Sequence, residues 1–184
     1  MIGLKTYLPQ IAPLLGMSTE MAYERQRALV REGILKLRPG RGPGSGVSAD
    51  EGSLAVLLVS ILSHDLLTEA PVTKFYCELR SSQKKKCRVT GAKTFRKALS
   101  TILANPVLPA KKILIEVMRG FEPRADVSLF NEDMEETSTF RHAKWKPGPS
   151  EFPANQVFHI VQIDQGLLGR LAEDIAEFKR NGAS

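Results

Sequence analysis

The chain has 184 residues, of which 42% are hydrophobic and 25% are charged, a composition typical of a soluble protein with a buried core. The longest apolar stretch, Leu54–Leu62, is shorter than the roughly 20 residues that a membrane helix needs. The first residues also lack the basic region followed by an apolar one that marks a secretory signal. We therefore expect a cytoplasmic protein with no membrane partner. The two cysteines, Cys77 and Cys87, are too few for a disulfide framework or a four-cysteine metal site.

The net charge of +6 is unevenly distributed along the chain. Residues 1–112 contain 18 Lys and Arg against 8 Asp and Glu, a net charge of +10. Residues 113–184 contain 8 against 12, a net charge of −4. A basic first half indicates contact with a polyanion. A basic surface exposed only to solvent is the alternative.

The first predicted elements are two helices separated by a tight turn. Helical spacing predicts a short helix for about Pro9–Leu15, and Gly16 suits the left-handed conformation that ends a helix. Ser18 is a suitable N-cap for a second helix, because its oxygen can accept a backbone N–H two or three residues later. That helix is predicted from Thr19 to about Glu32, where Gly33 follows.

The second helix has two faces of different character. The residues predicted to face inward are Met21, Ala22, Ala28, Leu29 and Val30. The residues predicted to face outward are Thr19, Glu20, Tyr23, Glu24 and Arg27.

A segment rich in Gly, Pro and Arg follows this helix. Gly40, Gly42, Gly44 and Gly46 exclude a helix interior here, so two short strands, Ile34–Arg38 and Ser45–Ser48, are predicted on either side of a tip that carries Arg41. Such a tip can lie against the DNA backbone or enter a minor groove, where a narrow groove attracts Arg.

The helical period returns at Ala49, and Ser48 or Asp50 is a plausible N-cap for this helix. The stretch Leu54–Leu67 is almost wholly apolar. Residues 71–79 form an element of undetermined type, and a polar basic loop that begins at Arg80 and includes Lys84–Arg88 follows. The later predicted elements are a helix at Thr94–Asn105, strands at Ile113–Met118, Ala125–Phe130, Ser138–Ala143 and Gln156–Ile163, an acidic turn at Glu132–Glu136, and a terminal helix at Asp164–Arg180.

Three segments of the first half carry a family resemblance. They are Leu15-Gly16-Met17-Ser18, then Glu32-Gly33-Ile34-Leu35, then Arg38-Pro39-Gly40-Arg41-Gly42. Their order and spacing resemble the winged helix-turn-helix of GntR-family transcription regulators, over about residues 9–47. The resemblance implies that the helix after Ser18 enters the major groove and that the wing contacts the adjacent minor groove. It implies DNA contacts by Thr19, Tyr23 and Arg27 on the helix and by Arg41 and Gly42 on the wing.

Physical reasoning on the residues predicts an overlapping contact set. Side chains near the start of a helix in a major groove reach base edges, so Arg27 is suited to guanine or a phosphate, and Glu20 or Glu24 to cytosine. Lys36, Arg38 and Arg41 are suited to neutralising phosphates. The full set of predicted DNA-binding residues is Ser18, Thr19, Glu20, Tyr23, Glu24, Arg27, Lys36, Arg38, Arg41 and Gly42. A winged helix that docks a protein is the alternative.

Other kinds of site have weaker support in the sequence. The Gly-rich tip lacks the Gly-Lys-Ser/Thr ending of a nucleotide-binding loop, and the three histidines lack paired ligand spacing, so we expect no cofactor and no metal. No catalytic arrangement stands out, so we expect no enzyme. The sequence leaves two alternatives open. Cys77 and Cys87 can form a redox pair or be simple reduced thiols. Lys84–Arg88 can be a second phosphate contact or a solvated loop.

Taken together, the patterns predict an α+β fold with an N-terminal winged helix-turn-helix at 1–48, followed at 49–184 by helices, a small and mostly antiparallel sheet and a terminal helix. The predicted function is a sequence-specific transcription regulator that binds double-stranded DNA, a homodimeric repressor of bacterial or phage origin. The alternative is a phage or mobile-element protein that assists DNA packaging or recombination with the same DNA-binding unit. The dimer surface is expected on the Leu54–Leu67 helix, the terminal helix or the sheet.

Overall fold

The computed structural model describes residues 2–38, 46–63, 70–82, 86–106, 112–119, 123–131, 134–142 and 159–181. Within these ranges six α-helices and five strands form an α+β fold, which confirms the predicted class. The helices are α1 (Leu4–Ile11), α2 (Thr19–Arg31), α3 (Glu51–Ser63), α4 (Ala70–Cys77), α5 (Phe95–Ala104) and α6 (Gln165–Asn181). The strands are β1 (Arg80–Ser81), β2 (Lys112–Arg119), β3 (Arg124–Asn131), β4 (Met134–Arg141) and β5 (His159–Asp164).

The five strands form one antiparallel sheet in the order β1-β4-β3-β2-β5. Alternate residues of β2, Ile113, Ile115 and Val117, are buried, and α3 and α6 contact this strand. The period of two in the sequence therefore marks the face that the helices cover. Strand β5 is the last in the order and forms one edge of the sheet.

Helix α3 is the centre of the hydrophobic core. Its residues from Leu54 to Ser60 are all buried, because α2, α4, α5 and the sheet contact it from several sides. The buried apolar residues form one cluster that includes both the first helices and the sheet. The predicted domain boundary at residue 48 stays a prediction.

The first helix differs from its prediction. It begins at Leu4 rather than near Pro9, and Pro9 lies inside it. Leu4, Tyr7, Leu8 and Ile11 are buried on one face, whereas Pro9 is exposed, so tertiary burial of this face outweighs the local cost of a proline. A 3-10 helix at Pro13–Leu15 follows as a separate turn, with Pro13 at its start, where a missing N–H costs little.

Tyr7 connects α1 to α6. Its hydroxyl donates to Asp174 Oδ2 at 2.5 Å, and its ring meets Phe178 edge-on with 4.9 Å between the ring centroids. Burial raises the pKa of Tyr7 well above its ordinary value, and the hydrogen bond to Asp174 raises it further, so the phenol remains a donor.

Helix α2 confirms its predicted bounds but differs from its predicted inner face. Met21, expected inside, is exposed, and Arg25 is buried in its place with 5% of its surface accessible. The Arg25 Nη1 donates to the backbone oxygen of Ser60 in α3 at 2.9 Å. A buried guanidinium therefore joins α2 to the central helix.

Several further boundaries differ from the predictions. Asp50, one of the two expected caps, accepts the Ser53 N–H at 2.8 Å, and residues 71–79, of undetermined type in the sequence, are mostly helix α4. Strand β4 begins at Met134, so Glu135 and Glu136 lie in a strand rather than in the predicted acidic turn, because they pair with Phe130 and Leu129 of β3. The short strand β1 was not predicted, because two residues show no period.

We expect Arg25→Met to lower the free energy of unfolding by about 1–3 kcal/mol, because the oxygen of Ser60 loses a buried charged donor. Arg31→Met, on the exposed side of the same helix, is the matched control and should change it by less than about 0.5 kcal/mol. Urea denaturation of the three proteins measures both. Equal effects would show that the Arg25 contact does not hold α2 in place.

Candidate nucleic-acid interface

The turn before α2 has the geometry that the sequence predicts. Gly16 has φ of 68° and ψ of 26°, in the left-handed region that favours glycine. The Gly16 N–H donates to the backbone oxygen of Pro13 at 3.1 Å, and the Met17 N–H donates to the backbone oxygen of Ala12 at 3.1 Å. Ser18 Oγ then accepts the Met21 N–H at 3.2 Å and caps α2. Backbone hydrogen bonds therefore fix the turn, and the Ser18 side chain fixes the start of α2.

The end of α2 is equally defined. Gly33 has φ of 68°, and the N–H groups of Ile34 and Leu35 both donate to the oxygen of Leu29, at 2.9 and 3.1 Å. These bonds direct the chain away from the helix and into residues 34–38.

The outward side of α2 carries both signs of charge. Glu20, Glu24, Arg27 and Arg31 are exposed on it. Arg27 Nη1 donates to Glu24 Oε1 at 2.5 Å, so the guanidinium that the sequence assigns to a base or phosphate is held by a carboxylate of the same helix. With two carboxylates and two guanidinium groups, these four side chains contribute no net positive charge.

Two residues of the predicted contact set, Thr19 and Tyr23, are less accessible than Glu24 and Arg27. Thr19 is half-buried, and Tyr23 is half-buried and packs against the hydrophobic core. Glu20 and Ser18 are exposed, with Ser18 engaged as the cap.

The predicted wing is described only at its base. The two strands expected there are represented by a single antiparallel bridge, in which the Arg38 N–H donates to the oxygen of Gly46 at 2.9 Å. The base also joins the start of the chain, because the Leu4 N–H donates to the oxygen of Val47 at 2.7 Å. Arg38 is half-buried, and its Nε is inaccessible to solvent with no hydrogen-bond partner among the described residues. Arg41 and Gly42 lie outside the described residues.

A cleft of 580 Å³ opens beside the end of α2, and we call it the basic cleft. Its cationic lining comes from four separate segments, with Lys36 after α2, Lys74 on α4, Arg80 on β1 and Arg96 on α5. Its remaining lining residues are Glu32, Gly33, Ile34, Cys77, Glu78, Thr94 and His142. Within the described part of the chain, no ion pair or side-chain hydrogen bond involves any of the four cations.

The sequence indicated only part of this cleft. Lys36 was predicted as a phosphate contact, and Arg80 begins the predicted basic loop, but Lys74 and Arg96 were not singled out. The available signal was the excess of positive charge in residues 1–112. A residue count shows that cations are present, but it does not show that the fold brings these four together.

Cys77 lines the cleft with a protonated thiol. Burial raises the pKa of Cys77 to about 12, with the nearby Arg96 guanidinium opposing the shift and Glu78 adding to it. Cys77 and Cys87 are both buried and free. A thiol with this pKa is a poor nucleophile near neutral pH, which argues against the redox alternative.

The residues that the structure describes contain no group of three or more His, Cys, Asp or Glu side chains that would hold a metal ion. Across the same residues, no helix combines the length and the apolar character that crossing a membrane requires. Comparison of the chain with protein families, with curated proteins and with solved structures finds no match.

We expect Ser18→Ala to lower the free energy of unfolding by about 1 kcal/mol, because the Met21 N–H loses its acceptor. Ser18→Asp keeps an acceptor at the cap and should retain most of the stability. Thermal unfolding in the absence of DNA compares the three proteins. A Ser18→Ala protein as stable as the parent would show that the cap contributes nothing to α2.

Proposed function

We propose that the protein is a sequence-specific DNA-binding transcription regulator, a homodimeric repressor of bacterial or phage origin, whose helix α2 enters the major groove. One observation carries the proposal: the left-handed Gly16 and the Ser18 cap present an exposed helix face directly after a tight turn. This is the local geometry that a helix-turn-helix needs in order to place the first turns of its second helix against base edges.

Two features of the chain add support. The bridge between Arg38 and Gly46 brings together the two ends of a segment whose sequence includes Arg41, as a wing beside the helix would require. Residues 1–112 also carry the net charge of +10 that attraction to DNA requires. In the proposed complex, Glu20 and Arg27 contact bases, and Arg41 contacts the adjacent minor groove.

The ion pair between Glu24 and Arg27 has a defined place in this proposal. Arg27 exchanges Glu24 for a guanine or a phosphate on binding, since a bidentate base contact is worth roughly 1–3 kcal/mol whereas an exposed ion pair is worth less than about 1 kcal/mol. The carboxylate of Glu24, once released, repels phosphates at wrong positions and so favours specificity over affinity.

The test is duplex DNA binding across a salt series, with DNA from upstream of the gene compared with random sequence. We expect tight and salt-sensitive binding to the upstream DNA, and a loss of about tenfold or more in the Arg27→Ala/Arg41→Ala protein. Arg170→Ala/Arg180→Ala removes the same charge from α6 and is the matched control.

Weak binding that is equal on all DNA and unaffected by the Arg27→Ala/Arg41→Ala change would overturn the proposal. Attention would then move to protein partners of the same unit. Assembly into rings or filaments on DNA would favour the packaging or recombination function instead.

We place the dimer contact at the β5 edge of the sheet. Two of the surfaces expected from the sequence are occupied within the chain itself. Helix α3 is buried in the core, and the apolar residues of α6, Leu168, Leu171 and Ile175, are buried in the same core. Ile160 on the edge strand β5 is 54% exposed, and no described strand pairs with the outer side of β5. An exposed edge strand offers unpaired backbone groups to a second copy.

We expect Ile160→Lys to shift the protein from dimer to monomer in sedimentation equilibrium, because a charge at the edge disfavours strand pairing. Leu37→Lys changes a similarly exposed side chain, at 60%, and is the control that should remain dimeric. A dimer with unchanged affinity in the Ile160→Lys protein would rule out this edge as the contact.

A further inference from the structure

We propose that the basic cleft holds the phosphate backbone of the duplex beside the site that α2 contacts. This inference rests on the proposed function and deepens it, because it assigns the phosphate contacts to residues outside the helix-turn-helix. The cleft is lined at one side by Glu32, Gly33, Ile34 and Lys36, which directly follow α2. Because these residues continue the chain directly from the helix that is proposed to enter the major groove, we take the duplex to run past the cleft in the proposed complex.

The distribution of charge supports this assignment. The exposed side of α2 has no net positive charge, and Arg27 is already paired with Glu24. The cleft has four cations against the carboxylates of Glu32 and Glu78, and the four cations have no partners among the described residues. Cations that line one cleft without partners repel each other, and an anion that enters the cleft relieves this repulsion.

The positive surface continues beyond the cleft. A second hollow of 400 Å³ shares Thr94 with the basic cleft. The other residues that line this hollow are Lys86, Thr90, Gly91, Ala92, Lys93, Lys97 and Thr101, with no carboxylate among them. The turn that carries Thr90, Gly91 and Ala92 is held by the Cys87 N–H donating to the oxygen of Ala92 at 2.7 Å, whereas Lys97 and Thr101 lie on α5.

The length of this surface favours a polymer over a small anion. Two adjoining hollows lined by lysine, arginine and threonine form a track, and the cations are exposed at the ends of long side chains rather than buried around one point. Phosphate oxygens along a nucleic-acid strand are contacted in this way by Lys, Arg and Thr side chains. Lys86, which the sequence places in a possible second phosphate contact, belongs to the same track.

The test is the salt dependence of DNA affinity in the Lys74→Gln/Arg96→Gln protein. Each phosphate contact contributes about 0.9 to the slope of log affinity against log salt concentration, so the slope should become shallower by about 2. The ratio of affinities for upstream and random DNA should stay unchanged, because phosphate contacts carry no sequence information. The control is Arg170→Gln/Arg180→Gln on α6, which removes the same charge and should leave the slope unchanged.

Each other outcome overturns the inference in a distinguishable way. An unchanged slope in a Lys74→Gln/Arg96→Gln protein with the parent's thermal stability would overturn the role of the cleft and leave the role of α2 in place. The cleft would be a small-anion site instead if the parent protein binds ATP, the Lys74→Gln/Arg96→Gln protein does not, and the salt dependence of DNA affinity is the same in both. If the parent protein binds no duplex DNA, the proposed function and this inference both fail.

Discussion

The position of α2 depends on the buried hydrogen bond between the Arg25 guanidinium and the backbone oxygen of Ser60. A buried charge without an acceptor is costly, so this contact restricts α2 to arrangements in which Arg25 meets the last turn of α3. Helix α3 is in turn fixed by α4, α5 and the sheet. The next two carbonyl oxygens of α3 face the sheet instead, because Arg119 of β2 donates to the oxygens of Leu62 and Ile61 at 2.7 and 3.0 Å. The face proposed to meet DNA is therefore held by the same core as the rest of the chain.

This arrangement divides the work of DNA binding between two surfaces. In our proposal the outward side of α2, with mixed charges, supplies sequence discrimination, and the basic cleft supplies the charge neutralisation that brings affinity. The two meet at Glu32–Lys36, where the chain leaves the helix. Because α2, α4 and α5 all contact the central helix or one another, the spacing between the two surfaces is set by core packing rather than by a flexible linker.

The sequence predicts the elements whose signals are local. Gly16 and Ser18 define the turn and cap by their own chemistry, and alternation in Ile113–Val117 marks a strand with one buried face. Arg25 could not be predicted as buried, because its environment is a carbonyl of a helix 35 residues away. Local rules predict a helix start near Pro9, but burial of Leu4 and Tyr7 in the core favours a helix that begins at Leu4. The sequence does not predict the basic cleft for the same reason, because only the fold brings Lys36 together with Lys74, Arg80 and Arg96.

The most direct test of the account is whether α2 lies in the major groove. Cys77 and Cys87 are buried, so the added cysteine of a Glu20→Cys protein is the exposed one. A DNA-cleaving iron chelate can therefore be attached at the start of α2. Our account predicts strand cleavage inside the protected sequence, at adjacent positions across the major groove, and no such cleavage from an Arg170→Cys protein labelled on α6. Cleavage outside the protected sequence, or equal cleavage from both attachment sites, would contradict the placement of α2 on DNA.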